Sequence, residues 1–226
     1  MPLESAGPPT IFADGRNLPT PGSPEDGPGS RPTIVSAAEG RGVYAAPVAF
    51  DRAGWWQVAA VVDLKDSGVT KATAQFQVLA DHRLPAVGDQ APETRNLTMS
   101  SAGAPQAAID SRAATTGEIP DPKLHRTTVA EAVAAGRPAL VVFSSPAFRQ
   151  SRFSGDLTEM VADLAGEHGD RAAFIHVELW RDFPKRELND AAAAWLRRSG
   201  GVVTAPWVFV VGRDGRIAAR FDNVVS

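Results

Sequence analysis

Four serines stand within one short stretch, and their hydroxyls are the first candidates for nucleophilic chemistry: Ser144, Ser145, Ser151 and Ser154. A serine hydrolase holds its nucleophile within reach of a histidine and an acid, and α/β hydrolases present it in a Gly-x-Ser-x-Gly turn. The chain contains no such turn, and its four histidines are scattered along the sequence. The pattern therefore indicates a structural role for these serines, in which Ser151 or Ser154 caps the N-terminus of a helix.

His176 and Glu178 are alternate residues of a predicted strand, so their side chains share one face, and Asp182 follows shortly after. Such residues are candidates for metal binding, but zinc and iron sites contain three or more ligands. The spacing therefore favours a hydrogen-bonded structural histidine at position 176. His125 and His168 are predicted at the surface or at helix caps. The sequence predicts no metal, no cofactor and no catalytic residue.

The 226-residue chain contains no cysteine, which excludes disulfides, thiolate metal sites and thiol catalysis. A net charge of -3 and a pI near 5.8 provide no electrostatic footprint for nucleic acid. No apolar run approaches the roughly 20 residues of a membrane span. The first residues show neither the basic region nor the apolar core of a signal peptide, so an exported form would have lost its targeting segment.

The serine-containing stretch lies between two predicted elements. Residues 139–143 form a continuous apolar run, Ala-Leu-Val-Val-Phe, which is typical of a strand buried on both faces. The helix predicted next carries apolar residues at helical spacing, namely Phe153, Leu157, Met160, Val161 and Leu164. Gly169 is its predicted end. Residues 144–154 thus connect a buried strand to a helix N-terminus, where α/β proteins tend to place their chemistry.

This strand, loop and helix resemble the redox-motif region of thioredoxin-like proteins. The loop is similar to that of a bacterial extracytoplasmic branch, which reads Pro-Ala-Phe-Cys-x-x-x-x-Cys-Gly and is matched here by Pro146, Ala147, Phe148 and Gly155. The two cysteine positions carry Arg149 and Ser154 instead. The resemblance implies a thioredoxin-like fold and an extracytoplasmic location. The thiols that thiol-disulfide exchange needs are missing.

The C-terminal half has the order β-α-β-α-β-β, which is the order of a thioredoxin fold, and the resemblance covers residues 117–226. A capping box at Thr128 and Glu131 opens a short helix before the central strand. The last two strands are predicted to form a hairpin through Gly-Arg-Asp-Gly at 212–215. A thioredoxin fold normally closes with one more helix, which this domain is expected to lack.

Pro206 matches the proline that is cis in the family and faces the redox loop. The resemblance implies that a cis bond here keeps the Ala205 backbone open to an extended partner chain. The alternative is an ordinary trans proline at the start of an edge strand. The implied binding residues are Phe148, Arg149, Ala205 and Pro206, and the charge of Arg149 predicts a preference for acidic segments.

The N-terminal part has a different composition. Residues 1–32 are rich in proline and glycine and are predicted to form a flexible arm, with a hint of a strand only at 11–13. Residues 33–83 contain short strands at 43–50, 55–62 and 72–79 and resemble part of an immunoglobulin-like sandwich. In the pair Trp55-Trp56, one ring is predicted to be buried and one exposed. Residues 84–116 are predicted to form a linker, of which the part at 100–116 is predicted to run over the surface.

The predicted fold class is thus an α/β thioredoxin-like domain preceded by a small all-β immunoglobulin-like module. The favoured function is an extracytoplasmic binding or structural module without redox activity, whose partner is an extended peptide or protein segment. The alternative is a thiol-disulfide oxidoreductase whose cysteines at 149 and 154 are absent from this chain. A third hypothesis is an unrelated hydrolase or metal protein that uses serine or histidine. Natural cysteines at both positions would favour the oxidoreductase.

Overall fold

The chain divides into two compact units, one comprising residues 1–82 with residue 226 and the other comprising residues 83–225. The computed structural model describes residues 10–13, 33–38, 41–45, 50–63, 69–148, 154–196 and 203–222. No helix in these ranges is long and apolar enough to cross a membrane.

The first unit is formed by β-strands. Its described strands are β1 (Thr10–Ala13), β2 (Thr33–Ala38), β3 (Arg41–Ala45), β4 (Gly54–Asp63) and β5 (Val69–Val78). β2 and β3 form a small antiparallel sheet. In the other sheet, β4 pairs antiparallel with β5 and parallel with β1. β1 includes the short strand expected at 11–13, so part of the predicted flexible arm 1–32 is a strand.

The two tryptophans at the start of β4 point in opposite directions, because successive side chains of a strand alternate between its faces. Trp56 is buried and donates a hydrogen bond through Nε1 to the carbonyl of Arg52 at 3.1 Å. Trp55 is 59% exposed. Phe50 packs edge-on against the Trp56 ring. The prediction of one buried and one exposed tryptophan is confirmed.

The second unit contains a mixed four-stranded sheet. Its described strands are β6 (Ala139–Ser144), β7 (Ala173–Glu178), β8 (Trp180–Asp182), β9 (Glu187–Leu188), β10 (Trp207–Val211) and β11 (Ile217–Asp222). The central sheet has the order β11-β10-β6-β7, with β6 and β7 parallel and β10 antiparallel to both of its neighbours. β8 and β9 form a separate small hairpin that the sequence pattern does not predict.

Short helices cover this sheet. They are α1 (Gln106–Ile109), α2 (Ala113–Thr116), α3 (Val129–Ala134), α4 (Ser154–His168) and α5 (Asp190–Leu196), with 3₁₀ turns at Pro122–His125 and Pro146–Phe148. The capping box of α3 is present: the Thr128 hydroxyl accepts from the Glu131 amide, and the Glu131 carboxylate accepts from the Thr128 amide. α4 ends at the residue before the predicted stop at Gly169.

The central strand β6 is buried on both faces, as its continuous apolar run predicts. On one face, Val141 and Phe143 belong to a cluster that includes Trp195 of α5. On the opposite face, Val142 belongs to a cluster that includes Leu157 of α4. The strand is therefore packed between helices on both sides, which fixes the position of the loop that follows it.

Residues 84–116, predicted as a linker, contribute to the interior of the second unit. Leu84 and Ala91 belong to the core cluster on the α5 side of the sheet, and Ile109 of α1 is buried. The hydroxyl of Thr94 accepts a 2.7 Å hydrogen bond from Nε1 of the buried Trp195. This bond joins positions 101 apart in the sequence, so no local pattern could indicate it.

The predicted C-terminal hairpin is present between β10 and β11. Its turn includes Gly215, whose φ of 75° lies in the left-handed region that favours glycine. The Ala205–Pro206 peptide bond is cis, which confirms the prediction for that bond.

Candidate functional site

Three segments of the second unit meet at one end of the central sheet. Ser144 and Glu178, the last residues of the parallel strands β6 and β7, lie opposite each other. β10 runs antiparallel to β6 and begins with Trp207 opposite Phe143. The turn Pro146–Phe148, the start of β8 and residues 205–206 therefore lie at the same edge of the sheet. We call this end of the sheet the carboxyl edge.

Glu178 is the buried centre of the carboxyl edge. Its carboxylate accepts hydrogen bonds from the Ser145 hydroxyl, from the Ser111 amide at 2.9 Å and from the Leu179 amide at 3.0 Å. Burial raises the pKa of Glu178, although the charge of His176 and the hydrogen bonds from the two serines act in the opposite direction. The carboxyl group therefore holds its proton more tightly than an exposed glutamate does.

Ser111 joins this carboxylate to the turn after β6. Its hydroxyl accepts a 3.1 Å hydrogen bond from the amide of Ala147. Asn189 holds α1 against β7, because its side-chain amide donates to the carbonyls of Ala108 at 2.9 Å and Glu178 at 2.8 Å. The segment between α1 and α2 is thus fixed beneath the carboxyl edge by buried hydrogen bonds.

Next to Ser111, the carboxylate of Asp110 is completely buried and surrounded by nitrogen atoms. Arg112 contacts both of its oxygens, with Nη2 at 2.8 Å from Oδ2 and Nε at 3.1 Å from Oδ1. Nε2 of His125 and Nδ1 of His176 lie 3.3 Å and 3.4 Å from Oδ2. Burial alone would raise the pKa of Asp110, but these neighbouring groups hold it well below its ordinary value.

The two histidines of this cluster come from different elements. His125 ends the 3₁₀ turn Pro122–His125 and His176 lies in β7, and their rings meet edge to face with centroids 5.2 Å apart. Both side chains are fully buried. Burial is the main cause that lowers the pKa of His125. The contact with Asp110 raises this pKa, whereas the charge of His176 lowers it further. The sequence predicts His125 at the surface or at a helix cap. The residue does end a 3₁₀ turn, but a surface position is wrong, because that turn packs against β7 and α4.

The cluster is a different set from the three residues that the sequence singles out. His176 is buried as expected, but it faces Asp110 and His125 rather than Asp182. Asp182 accepts from Lys185 at 2.8 Å, and Glu178 binds the two serines described above. Among the described residues, Asp110, His125 and His176 form the one group that brings three potential metal ligands together. Asp110 and His125 lie in irregular stretches of the sequence, where no periodicity marks them.

The serines have structural roles in the described part of the chain. The Ser145 hydroxyl bonds Glu178, and the Ser144 hydroxyl lies 2.7 Å from that of Thr158. Ser154 is buried as the first residue of α4, while Ser151 lies outside the described residues. No described serine hydroxyl is hydrogen-bonded to a histidine nitrogen, so the arrangement of a serine hydrolase is not found there.

The residues predicted for binding lie at the carboxyl edge as far as they are described. Phe148 is half-buried and stacks on Phe183, with ring centroids 4.0 Å apart and an interplanar angle of 6°. Ala205 is half-buried and Pro206 is buried. Arg149 lies outside the described residues.

The stack of Phe148 and Phe183 extends on both sides. Trp180 approaches the Phe183 ring edge-on, with centroids 5.6 Å apart. The guanidinium of Arg186 lies 5.4 Å from the centroid of the same ring. Local sequence patterns do not bring Phe148 and Phe183 together, because the contact depends on the β8–β9 hairpin folding back towards β6.

Comparison of the chain with protein-family models, with curated proteins and with solved structures found no match.

Proposed function

We propose that the second unit is a thioredoxin-like binding module, preceded by an immunoglobulin-like module, which binds an extended peptide at its carboxyl edge without thiol chemistry. The mixed four-stranded sheet with helices on both faces is compatible with that fold. The absence of cysteine leaves binding as the activity that the scaffold can perform. An extracytoplasmic location is part of the proposal and depends on the resemblance alone.

The backbone of Ala205 is the first support for this site. Ala205 stands two positions before Trp207, the first residue of β10, and lies outside the β10–β6 ladder. Its amide and carbonyl make no hydrogen bond with any other described residue. Backbone groups of this kind can pair with an added extended chain, which is how many domains recognise peptides.

The aromatic stack is the second support. Phe148 and Phe183 are both only half-buried, although aromatic side chains gain most from complete removal from water. A peptide side chain placed against this stack would bury more of its surface. The proposal depends on the combination of these two features at the carboxyl edge. The backbone of Ala205 has no hydrogen bond to another described residue, and the aromatic stack is partly exposed.

Charge indicates the preferred peptide. Arg149 follows Phe148 in the sequence, and Arg186 is exposed beside the Phe183 ring. The cation of Arg186 beside the stack and the arginine that follows Phe148 in the sequence favour an acidic segment, and attraction between charges at a surface weakens as salt increases. The proposed ligand is therefore an extended acidic peptide.

The test uses fluorescence anisotropy with a labelled peptide of alternating glutamate and threonine, and the same peptide with lysine in place of glutamate. Binding of the acidic peptide alone is expected. Phe148→Ala should weaken it by at least about fivefold, as truncation of a central contact residue does, and Arg149→Ala should reduce the preference for the acidic peptide. Met160→Ala, at a position 44% exposed on α4, is the matched control. Equal binding of the two peptides, or no effect of Phe148→Ala, would contradict the proposal.

A second candidate, a thiol-disulfide oxidoreductase that carries cysteines at 149 and 154, is favoured by one observation. Ser154 is buried at the first turn of α4, and a helix N-terminus favours a thiolate at such a position. In the double variant Arg149→Cys and Ser154→Cys, mild oxidation should remove two hydrogens, as seen by mass spectrometry. Persistent free thiols would mean that the Cα atoms are more than about 7 Å apart, and this candidate would then be rejected.

A further inference from the structure

Three buried imidazole nitrogens have no hydrogen-bond partner among the described residues: Nδ1 and Nε2 of His125, and Nδ1 of His176. Both histidine side chains have no exposed surface. Buried polar side chains almost always have a partner, so each exception requires a physical explanation. An imidazole nitrogen without a proton has a lone pair that can bind a metal ion.

We propose that Asp110, His125 and His176 form a binding site for one divalent transition-metal ion of the Zn²⁺ or Co²⁺ type. Each side chain contributes one ligand atom, and the three atoms lie within 4.8 Å of one another. Neutral imidazole and carboxylate are ligands that these ions accept, and three protein ligands leave a fourth tetrahedral position for water.

Two of the three ligand-atom separations agree with this coordination, and the two imidazole nitrogens lie within 4.8 Å of each other. Oδ2 of Asp110 lies 3.3 Å from Nε2 of His125 and 3.4 Å from Nδ1 of His176. In a tetrahedral site with metal–ligand bonds of about 2.0 to 2.2 Å, neighbouring ligand atoms are about 3.3 to 3.6 Å apart. The two contacts lack the geometry of hydrogen bonds. Their length is therefore the separation expected for atoms that share an ion.

The hydrogen bond of Nε2 determines which nitrogen of the His176 ring has a free lone pair. Nε2 lies 3.4 Å from the carbonyl oxygen of Ser144, to which a proton on Nε2 can be donated. In the neutral tautomer with that proton on Nε2, Nδ1 carries the lone pair, and it lies 3.4 Å from Oδ2 of Asp110. A metal-binding histidine typically donates its other ring N–H to a carbonyl or carboxylate in this way. Without a cation between them, the Nδ1 lone pair and the carboxylate oxygen would repel each other.

The surrounding charges also accommodate a cation. Arg112 contacts Asp110 at 2.8 Å and Asp121 at 3.0 Å, so its single positive charge is shared between two carboxylates. With neutral histidines, one negative charge remains in excess. The oxygen Oδ2 has two lone pairs, and the guanidinium occupies only one of them.

Arg112 also connects the cluster to the surface. Its side chain is 23% exposed and that of Asp121 is 33% exposed, whereas the Asp110 side chain is fully buried. Arg112 and Asp121 are therefore the members of this charge network that reach solvent.

The test is a titration of the complete, metal-free chain with Co²⁺, followed by visible absorption. One equivalent should produce the intense bands of tetrahedral Co²⁺, which added Zn²⁺ should abolish. Asp110→Asn and His125→Gln should each weaken binding by at least about a hundredfold. His168→Gln, at a residue whose side chain is 47% exposed, is the matched control and should bind normally. No tetrahedral bands, or unchanged bands in both variants, would overturn the proposal.

A variant that fails to fold would lose the ion for an unrelated reason, so a second measurement uses the unchanged protein. Long-range ¹H–¹⁵N spectra of the imidazoles should show that Zn²⁺ shifts Nε2 of His125 and Nδ1 of His176. The nitrogens of His168 should keep their positions. If Zn²⁺ leaves His125 and His176 unshifted, the cluster is an ion network between Asp110, Arg112 and the histidines and not a metal site.

Discussion

The backbone amide of Ser111 donates a 2.9 Å hydrogen bond to the carboxylate of Glu178 across 67 positions of the sequence. The hydroxyl of the same serine accepts from the amide of Ala147, in the turn that carries Phe148. One residue therefore links the buried carboxylate to the surface where we propose that a peptide binds. Buried hydrogen bonds of the second unit hold its carboxyl edge in place, so substitutions that remove them should change the free energy of unfolding.

Replacing Glu178 by glutamine should change how stability depends on pH. Because the pKa of Glu178 is raised in the folded state, the unfolded chain releases this proton more readily. The wild type should then lose stability as the pH rises above 4.5, the ordinary value, by at most about 1.4 kcal/mol per pH unit. Glu178→Gln lacks this loss, so its stability relative to the wild type should improve with rising pH.

Urea unfolding at a series of pH values checks this prediction. Glu159→Gln, at an exposed position of α4, is the matched control and should follow the wild type. If the curves for Glu178→Gln and the wild type stay parallel across the range, Glu178 does not titrate differently in the folded and unfolded states.

Asn189→Ala tests whether residues 84–116 belong to the second unit. The substitution leaves the buried carbonyls of Ala108 and Glu178 without their side-chain donor. Each unsatisfied buried group costs about 1 to 3 kcal/mol, so the loss of two such bonds should lower the free energy of unfolding by roughly 2 to 6 kcal/mol. Gln106→Ala, at an exposed position of α1, should change it by less than about 0.5 kcal/mol. Equal effects of the two substitutions in urea unfolding would show that α1 is not anchored to β7.

Thr128→Ala removes the hydroxyl that caps α3. The Glu131 amide loses its 3.1 Å acceptor, so the free energy of unfolding should decrease by about 1 kcal/mol. Thr115→Ala, at an exposed position whose side chain caps no helix, is the control. A loss no larger than that of the control, measured by thermal or urea unfolding, would mean that the cap does not contribute to stability.

The elements of the second unit that sequence reasoning predicts have local causes. The apolar run at 139–143 requires a strand covered on both faces, and β6 is such a strand. The capping box at Thr128 and the turn at 212–215 are also encoded within a few residues. Each of these signals lies inside the element that it specifies, so one sequence is enough to identify it.

The candidate metal cluster has no such local signal. Asp110 and His125 belong to short turns without periodicity, and what brings them to His176 is the packing of those turns against β7. Asp182, which is close to His176 in sequence, points instead to Lys185. Nearness in sequence therefore suggested the wrong neighbours for His176, because its contacts with Asp110 and His125 connect distant segments through buried polar groups.

The most direct test of the proposed peptide site is a titration of the complete chain with the acidic glutamate–threonine peptide, followed by ¹H–¹⁵N and ¹H–¹³C spectra. If an extended chain pairs with the backbone at the carboxyl edge, the amide of Ala205 should shift progressively and saturate, together with the ring signals of Phe148 and Phe183. The methyl signal of Met160 should not move. An Ala205 amide that stays in place while other signals saturate would contradict the proposed site, and the absence of any shift would contradict peptide binding.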